Sequence, residues 1–312
     1  MYRRSWIKGV GAVLGSVCLS PVALSEEKKR PWKTAVGLNG FESGVRKYNK
    51  NYPIWEILDF ASHTGFDGIE LVSNWPMGGY PGAEEKERIR ALRRMYDGFG
   101  LQIFSIQLGA DGAFSPDADE RKRWLQEIRN RAQFCKEAGG ERIGLWPGGG
   151  LRGQTIGEAI DRLGESFHEV GKIVADLSMI ASFEIEPPFV FNTEDHIKRI
   201  LAKANHPSLK TMFDPSHFDL MSGSSGKPHE MLKRIGVENI GYVHLTDTDG
   251  TLRDGGTSKH LACGDGHVDI DSALKTLYDG GFQGWIMIDA WEIPDPYDAC
   301  VKGKKAIERA LR

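Results

Sequence analysis

Eight short apolar runs of strand length recur along the chain, each followed by a segment of helical periodicity, and no other feature limits the fold so tightly. The runs are TAVGLN (34–39), GIELVS (68–73), LQIFSI (101–106), RIGLWP (142–147), SFEIEP (182–187), KTMFDP (210–215), IGYVHL (240–245) and WIMIDA (285–290). Helical spacing of apolar residues predicts helices over 54–62, 83–96, 117–138, 156–177, 193–204, 229–235, 271–278 and 298–311. Parallel strands need crossover helices, and eight strand–helix units close on themselves, so the alternation predicts a single α/β domain, a (β/α)8 TIM barrel. The runs are apolar almost throughout, as befits strands covered on both faces. An open doubly wound sheet is disfavoured because no GxGxxG follows the first strand.

Residues 1–25 carry a different message. Arg3-Arg4-Ser5-Trp6-Ile7-Lys8 precedes a weakly apolar stretch that ends in Ala23-Leu24-Ser25. This reads as a twin-arginine export signal, with the barrel domain over 26–312 and a periplasmic destination. Gly9 to Leu24 is shorter than the roughly 20 apolar residues that span a bilayer, so no stable membrane insertion is expected once the signal is gone. Beyond it lie Cys135, Cys263 and Cys300, an odd number without CxxC spacing, which predicts neither a disulfide framework nor a zinc knuckle. The formal charge of −3 offers no basic footprint for nucleic acid.

Catalytic groups of such barrels sit at the C-terminal ends of the strands. Here the strand ends are polar: Glu70 and, just beyond it, Trp75 on strand 2; Trp146 on strand 4; Glu184-Ile185-Glu186 on strand 5; Asp214 and His217 on strand 6; His244 on strand 7; Asp289 on strand 8. Glu186, Asp214, His217, His244 and Asp289 therefore converge on one mouth. Buried ions of this kind cost several kcal/mol each when unpaired. A divalent cation held by Glu186, Asp214, His244 and Asp289 would compensate them, and this oxygen and nitrogen set suits Mg, Mn, Co or Zn.

EIEPPF at strand 5, FDPSH at strand 6, YVHLTD at strand 7, CGDGHVD in the following loop and GWIMIDA at strand 8 resemble the sugar phosphate isomerase/epimerase superfamily. Its members share the xylose-isomerase-like TIM barrel, also called the AP endonuclease family 2 type. The resemblance implies one divalent metal on Glu186, Asp214, His244 and Asp289, with His217 against the substrate. Two departures bear on the substrate. Strand 8 offers Asp289 where the family commonly has Glu, a methylene shorter, which favours Glu186 as the proton-transfer base. Ketose 3-epimerases of the superfamily carry Glu six residues after the strand-5 ligand and Arg six after the strand-7 His; Asn192 and Gly250 stand there, against a plain ketose 3-epimerase. Of the histidines and Asp-x-His pair that the endonuclease branch needs for three zinc ions, only His260 is present.

A divalent ion that polarises a sugar carbonyl and its neighbouring hydroxyl acidifies the intervening C–H, and a carboxylate can then remove that proton. The catalytic expectation is Glu186 as base, with Asp289 and His217 beside it. Substrate contacts are expected from His217, His260, Trp75, Trp146, Lys259 and Arg253, with Phe189, Phe191 and Trp291 as further stacking faces. The reading is a metal-dependent isomerase or epimerase acting on a non-phosphorylated sugar or sugar derivative. A lyase or hydrolase of 3-keto-glycosides is the alternative, and a non-catalytic sugar-binding protein is a third class. The partner is a small carbohydrate; homo-oligomerisation is left open.

Overall fold

The computed structural model describes residues 31–73, 75, 79–109, 111–253 and 256–312. The expected export signal at residues 1–25 lies outside the described residues. Eight parallel strands close into a barrel in the order β1 (Trp32–Gly37), β10 (Gly284–Ile288), β7 (Ile240–Leu245), β6 (Leu209–Phe213), β5 (Ile180–Phe183), β4 (Arg142–Trp146), β3 (Gln102–Gly109) and β2 (Gly68–Val72). These correspond one to one with the eight apolar runs. Among the described residues, no helix is long and apolar enough to cross a membrane.

The eight expected helices are α2 (Ile54–His63), α3 (Lys86–Asp97), α4 (Ala118–Glu137), α5 (Ile156–Asp176), α6 (Glu194–Ala204), α8 (Pro228–Ile235), α9 (Ile270–Asp279) and α10 (Pro296–Ala310). Their boundaries follow local chemistry. Thr155 and Glu158 form a reciprocal capping box at the start of α5. Asp117 and Thr193 cap α4 and α6 through their side-chain oxygens.

Two further helices and one hairpin are additional to the elements expected from sequence. Helix α1 (Leu38–Tyr48) contains Gly40 and Gly44, poor helix formers that lower its helix propensity. Gly40 is required by packing, since a Cβ there would lie 2.6 Å from the Cβ of Ala290. Helix α7 (Pro215–Met221) follows β6 directly, capped by Asp214. Within the loop after β7, strands β8 (Asp247–Leu252) and β9 (Ser258–Leu261) pair antiparallel and bring His260 back over the mouth.

Side chains alternate between two cores. Outward-facing residues such as Ile69, Ile103, Ile143, Phe183 and Ile286 pack under the helices. The lower barrel interior is filled by Ala35, Phe104, Met212, Tyr242, Trp285 and Met287, with Phe104 stacked on Trp285 at 4.4 Å. Fully burying apolar side chains of this size contributes about 1.5–3 kcal/mol each. Because strand side chains repeat with period two, the next inward positions above Met212, Tyr242 and Met287 are Asp214, His244 and Asp289. The switch from apolar to polar within one face marks where the core ends and the site begins.

Candidate active site

A cavity of about 480 Å³ opens at the C-terminal end of the barrel, with Glu184, Glu186, His217, His260 and Asp289 in its wall. Glu184, Asp214, His244 and Asp289 each offer one ligand atom, all within 4.8 Å of one another. The strand-5 member of this group is Glu184, in place of the Glu186 expected from sequence. The reason is length: β5 ends at Phe183, and the Glu184 amide adds one more rung by donating to Leu145 O at 2.8 Å. Glu184 and Glu186 share the inward face, so the acid nearer the strand drops into the cluster. Glu186 stands one step higher, half-buried, grouped with Glu184 and His217.

Each member of the cluster is oriented by a second partner. His244 directs Nδ1 to Glu184 Oε1 at 2.8 Å and Nε2 to Glu70 Oε2 at 2.9 Å, with Asp289 Oδ2 at 3.6 Å from Nδ1. Glu184 Oε2 accepts from Gln107 Nε2 at 2.9 Å. Asp289 Oδ1 accepts from Asn39 Nδ2 at 2.9 Å and from the Trp291 amide at 2.8 Å. Asp214 Oδ1 accepts from the amide and hydroxyl of Ser216, both at 2.7 Å. Its other oxygen, Oδ2, is buried without a hydrogen-bond partner. A buried carboxylate oxygen left bare is costly and marks a place for a cation or donor.

Electrostatics follow the crowding of acids. Burial disfavours a charged His244, yet the Glu184 and Glu70 carboxylates outweigh it and hold the imidazole pKa well above its ordinary value. Burial pushes Glu186 well above the usual carboxylate range, and Glu184, Asp214 and Asp289 add to the rise. Asp289 stays low despite burial because His260 and His244 favour its anion. Burial drives His217 down to about 3, so its ring is neutral at physiological pH.

The two loop histidines face the cluster. His217 Nδ1 is held by Ser258 Oγ at 2.9 Å and Thr257 Oγ1 at 3.3 Å, leaving Nε2 at 3.8 Å from Asp214 Oδ2 and 4.0 Å from Glu184 Oε1. His260 is 4% exposed, and neither ring nitrogen has a hydrogen-bond partner. Its Nδ1 stands 3.6 Å from Asp289 Oδ1. Burial opposes its charge, but Asp289, Asp214 and Glu184 raise its pKa.

Trp146 and Phe189 meet edge to face at 5.1 Å and wall the cavity, which Trp291 also lines. Arg253 lines it too, but its guanidinium is paired with Glu292. Lys259 is turned onto Asp249 within the hairpin and Trp75 packs against the core, accepting from Tyr80 OH at 2.6 Å; neither is among the described residues lining the cavity. Phe191 is buried against Phe114. Asn39, Gln107 and Tyr242 are site residues that sequence does not announce, because amides and phenols give no ligand signature. Glu184 does carry that signature, two residues before Glu186.

The family model for the xylose isomerase-like TIM barrel matches residues 58–311. An inosose dehydratase from Klebsiella pneumoniae subsp. pneumoniae is 24% identical over 269 residues, covering 76% of this chain and 88% of that protein. An IolI protein solved with a bound zinc atom superposes with a TM-score of 0.71 at 18% identity, over 89% of this chain and 98% of the other. The 3-keto-D-glucoside 4-epimerase YcjR from E. coli superposes with a TM-score of 0.67 at 16% identity, over 89% and 99%.

Proposed function

The chain belongs to the xylose isomerase-like TIM-barrel family, and on that footing we propose that it is a metal-dependent enzyme moving a proton next to a carbonyl in a non-phosphorylated keto sugar or glycoside. The observation that carries this reading is the cluster of Glu184, Asp214, His244 and Asp289 around the unpartnered Asp214 Oδ2. Those four residues would hold one divalent cation of the Mg, Mn, Co or Zn type. Bound there, such an ion polarises a carbonyl and acidifies the neighbouring C–H. Glu184 thereby replaces Glu186 in the ligand set, and Glu186 is left for proton transfer.

Glu186 is suited to that task. Burial and the neighbouring acids raise its pKa, which makes its carboxylate a stronger base toward a C–H proton and able to return that proton to carbon. His217, neutral and fixed by Ser258, presents Nε2 to a substrate oxygen. His260, with no partner for either ring nitrogen, can donate to an oxygen that gains charge. Trp146 and Phe189 narrow the mouth and limit water around the sugar face.

Returning the proton to carbon makes the reaction an epimerisation or isomerisation. A second reading, β-elimination, is favoured by His260, whose elevated pKa equips it to protonate a leaving oxygen, and by the dehydratase relative. Residues 1–25 are proposed to export the protein to the periplasm, where free sugars and glycosides would be met. The deciding experiment is metal analysis of the purified chain, followed by incubation with keto sugars and 3-keto-glycosides in deuterium oxide. Carbon-bound deuterium without loss of oxygen supports epimerisation; a new carbon–carbon double bond supports elimination; absence of metal overturns both.

A further inference from the structure

The mouth of the cavity is crossed by a three-membered charge cluster that the proposed chemistry does not use. Glu292, just beyond β10, pairs through Oε2 with Lys47 of α1 and with Arg253 of the β8–β9 hairpin. All three residues line the cavity, and Lys47 and Arg253 are the Lys and Arg side chains among the described residues that do so. Glu292 is held in place independently of its carboxylate. Its amide donates to Ser43 Oγ at 2.8 Å and its carbonyl accepts from Tyr48 OH at 2.7 Å. It does so at φ 52, a left-handed backbone conformation that costs a branched or long side chain and is easier for Asn or Gly. The strain is sustained by the neighbouring bonds, and it aims an acid at two cations.

A phosphate or carboxylate on a sugar is ordinarily gripped by Arg and Lys through charge-assisted hydrogen bonds. Here Lys47 and the Nη1 of Arg253 are already paired with one carboxylate, Arg253 Nε being left buried without a partner, while Glu42 at the rim and Glu184, Glu186 and Asp289 deeper in the cavity add carboxyl groups. We propose that Glu292 is a specificity-determining residue, which occupies Lys47 and Arg253 so that the cavity accepts uncharged sugars and rejects phosphorylated or carboxylated ones. This deepens the sugar-enzyme reading above and rests on it for the identity of the cavity. An anion drawn to Lys47 and Arg253 must compete with Glu292 for them, and displacing it would leave a partly buried carboxylate unpaired.

The test is calorimetric titration of the full chain with inorganic phosphate, both metal-loaded and chelator-treated, for the wild type, Glu292→Gln and Glu292→Asn. Asn suits the left-handed backbone, so at least one variant is unstrained, and circular dichroism checks the fold. Wild-type protein is expected to show no saturable phosphate binding in the chelator-treated state. Either variant should bind phosphate saturably, at least about ten-fold more tightly than the weakest binding the titration can detect, with an affinity that falls as salt is raised. Adding Arg253→Gln to Glu292→Gln should abolish that gain. Equal phosphate affinity in folded wild type and variants, or a gain that survives loss of Arg253, overturns the proposal. Failure of the sugar chemistry would appear instead in metal content and deuterium exchange, which this titration does not read.

Discussion

Glu70 and His244 stand 174 residues apart in sequence, and the carboxylate of the first fixes the ring of the second through Nε2 at 2.9 Å. The other Glu70 oxygen accepts from Tyr242 OH at 2.7 Å, and Glu70 is fully buried. An acid on β2 thus chooses which nitrogen of a histidine on β7 faces Glu184 and Asp289. Such outer partners of a ligating imidazole commonly matter to metal affinity almost as much as the ligands.

Glu70→Gln is therefore expected to weaken divalent metal binding by about 10- to 100-fold while the barrel stays folded. Competition with a chromophoric chelator measures it. An unchanged affinity would show that Tyr242 and the surrounding core alone hold the ring.

The two strand-5 acids should separate cleanly. Glu184→Ala is expected to lose the metal, whereas Glu186→Gln should keep it and lose solvent deuterium exchange by about 10²- to 10⁴-fold, the usual contribution of a general base. Metal lost from Glu186→Gln and retained in Glu184→Ala would reverse the assignment.

Metal uptake should depend on pH with a definite sign. In the metal-free protein both ring nitrogens of His244 face carboxylates, and its pKa is raised well above the ordinary 6.5. A cation on Nδ1 must displace that proton, so affinity rises with pH and falls progressively as the solution is acidified through neutrality. Calorimetry in buffers of different ionisation enthalpy should detect proton release on binding. A flat affinity between about pH 6 and pH 9 would contradict it.

Gly144→Ala probes the floor of the same network. A Cβ on residue 144 would lie 2.1 Å from Tyr242 OH and 2.9 Å from Met212 Cε, so the phenol that donates to Glu70 must shift. Overpacking of this kind costs about 1–3 kcal/mol, read as a lower urea midpoint. Full stability in the variant would mean that Tyr242 has room to move.

Replacing Arg3 and Arg4 together by Lys should leave precursor in the cytoplasm of a bacterial host, measured by fractionation. Undiminished export would count against the twin-arginine route.

The barrel is legible in the sequence because its signals are repeated and local: eight apolar runs, helical spacing between them, and caps such as Thr193 and Asp117 at the helix starts. The convergence of Asp214, His217, His244 and Asp289 is legible too, since an ionisable side chain at the end of an apolar strand is too costly to bury without a partner or a cation. The choice between Glu184 and Glu186 is not, because two acids of the same parity differ only in where β5 stops, and that depends on pairing with β4. Helix α1 is hidden by Gly40 and Gly44, and with it Asn39, whose amide reaches Asp289. Lys259 and Trp75, expected against the substrate, turn onto Asp249 and the core instead. Position beyond a strand end does not decide which way a loop side chain turns.

Asp247 at the start of the hairpin gathers four backbone amides, from Thr248, Gly264, Gly266 and Val268, at 2.8–3.1 Å. A Cβ on residue 266 would come within 2.2 Å of its carboxylate, so glycine is what lets the loop wrap so closely. One buried acid therefore welds the base of the hairpin to the segment that leads into α9, and His260 sits on the welded part. The tip bearing Arg253 lies beyond the weld. A substitution at Arg253 can therefore reshape the mouth of the cavity without dragging His260 out of line.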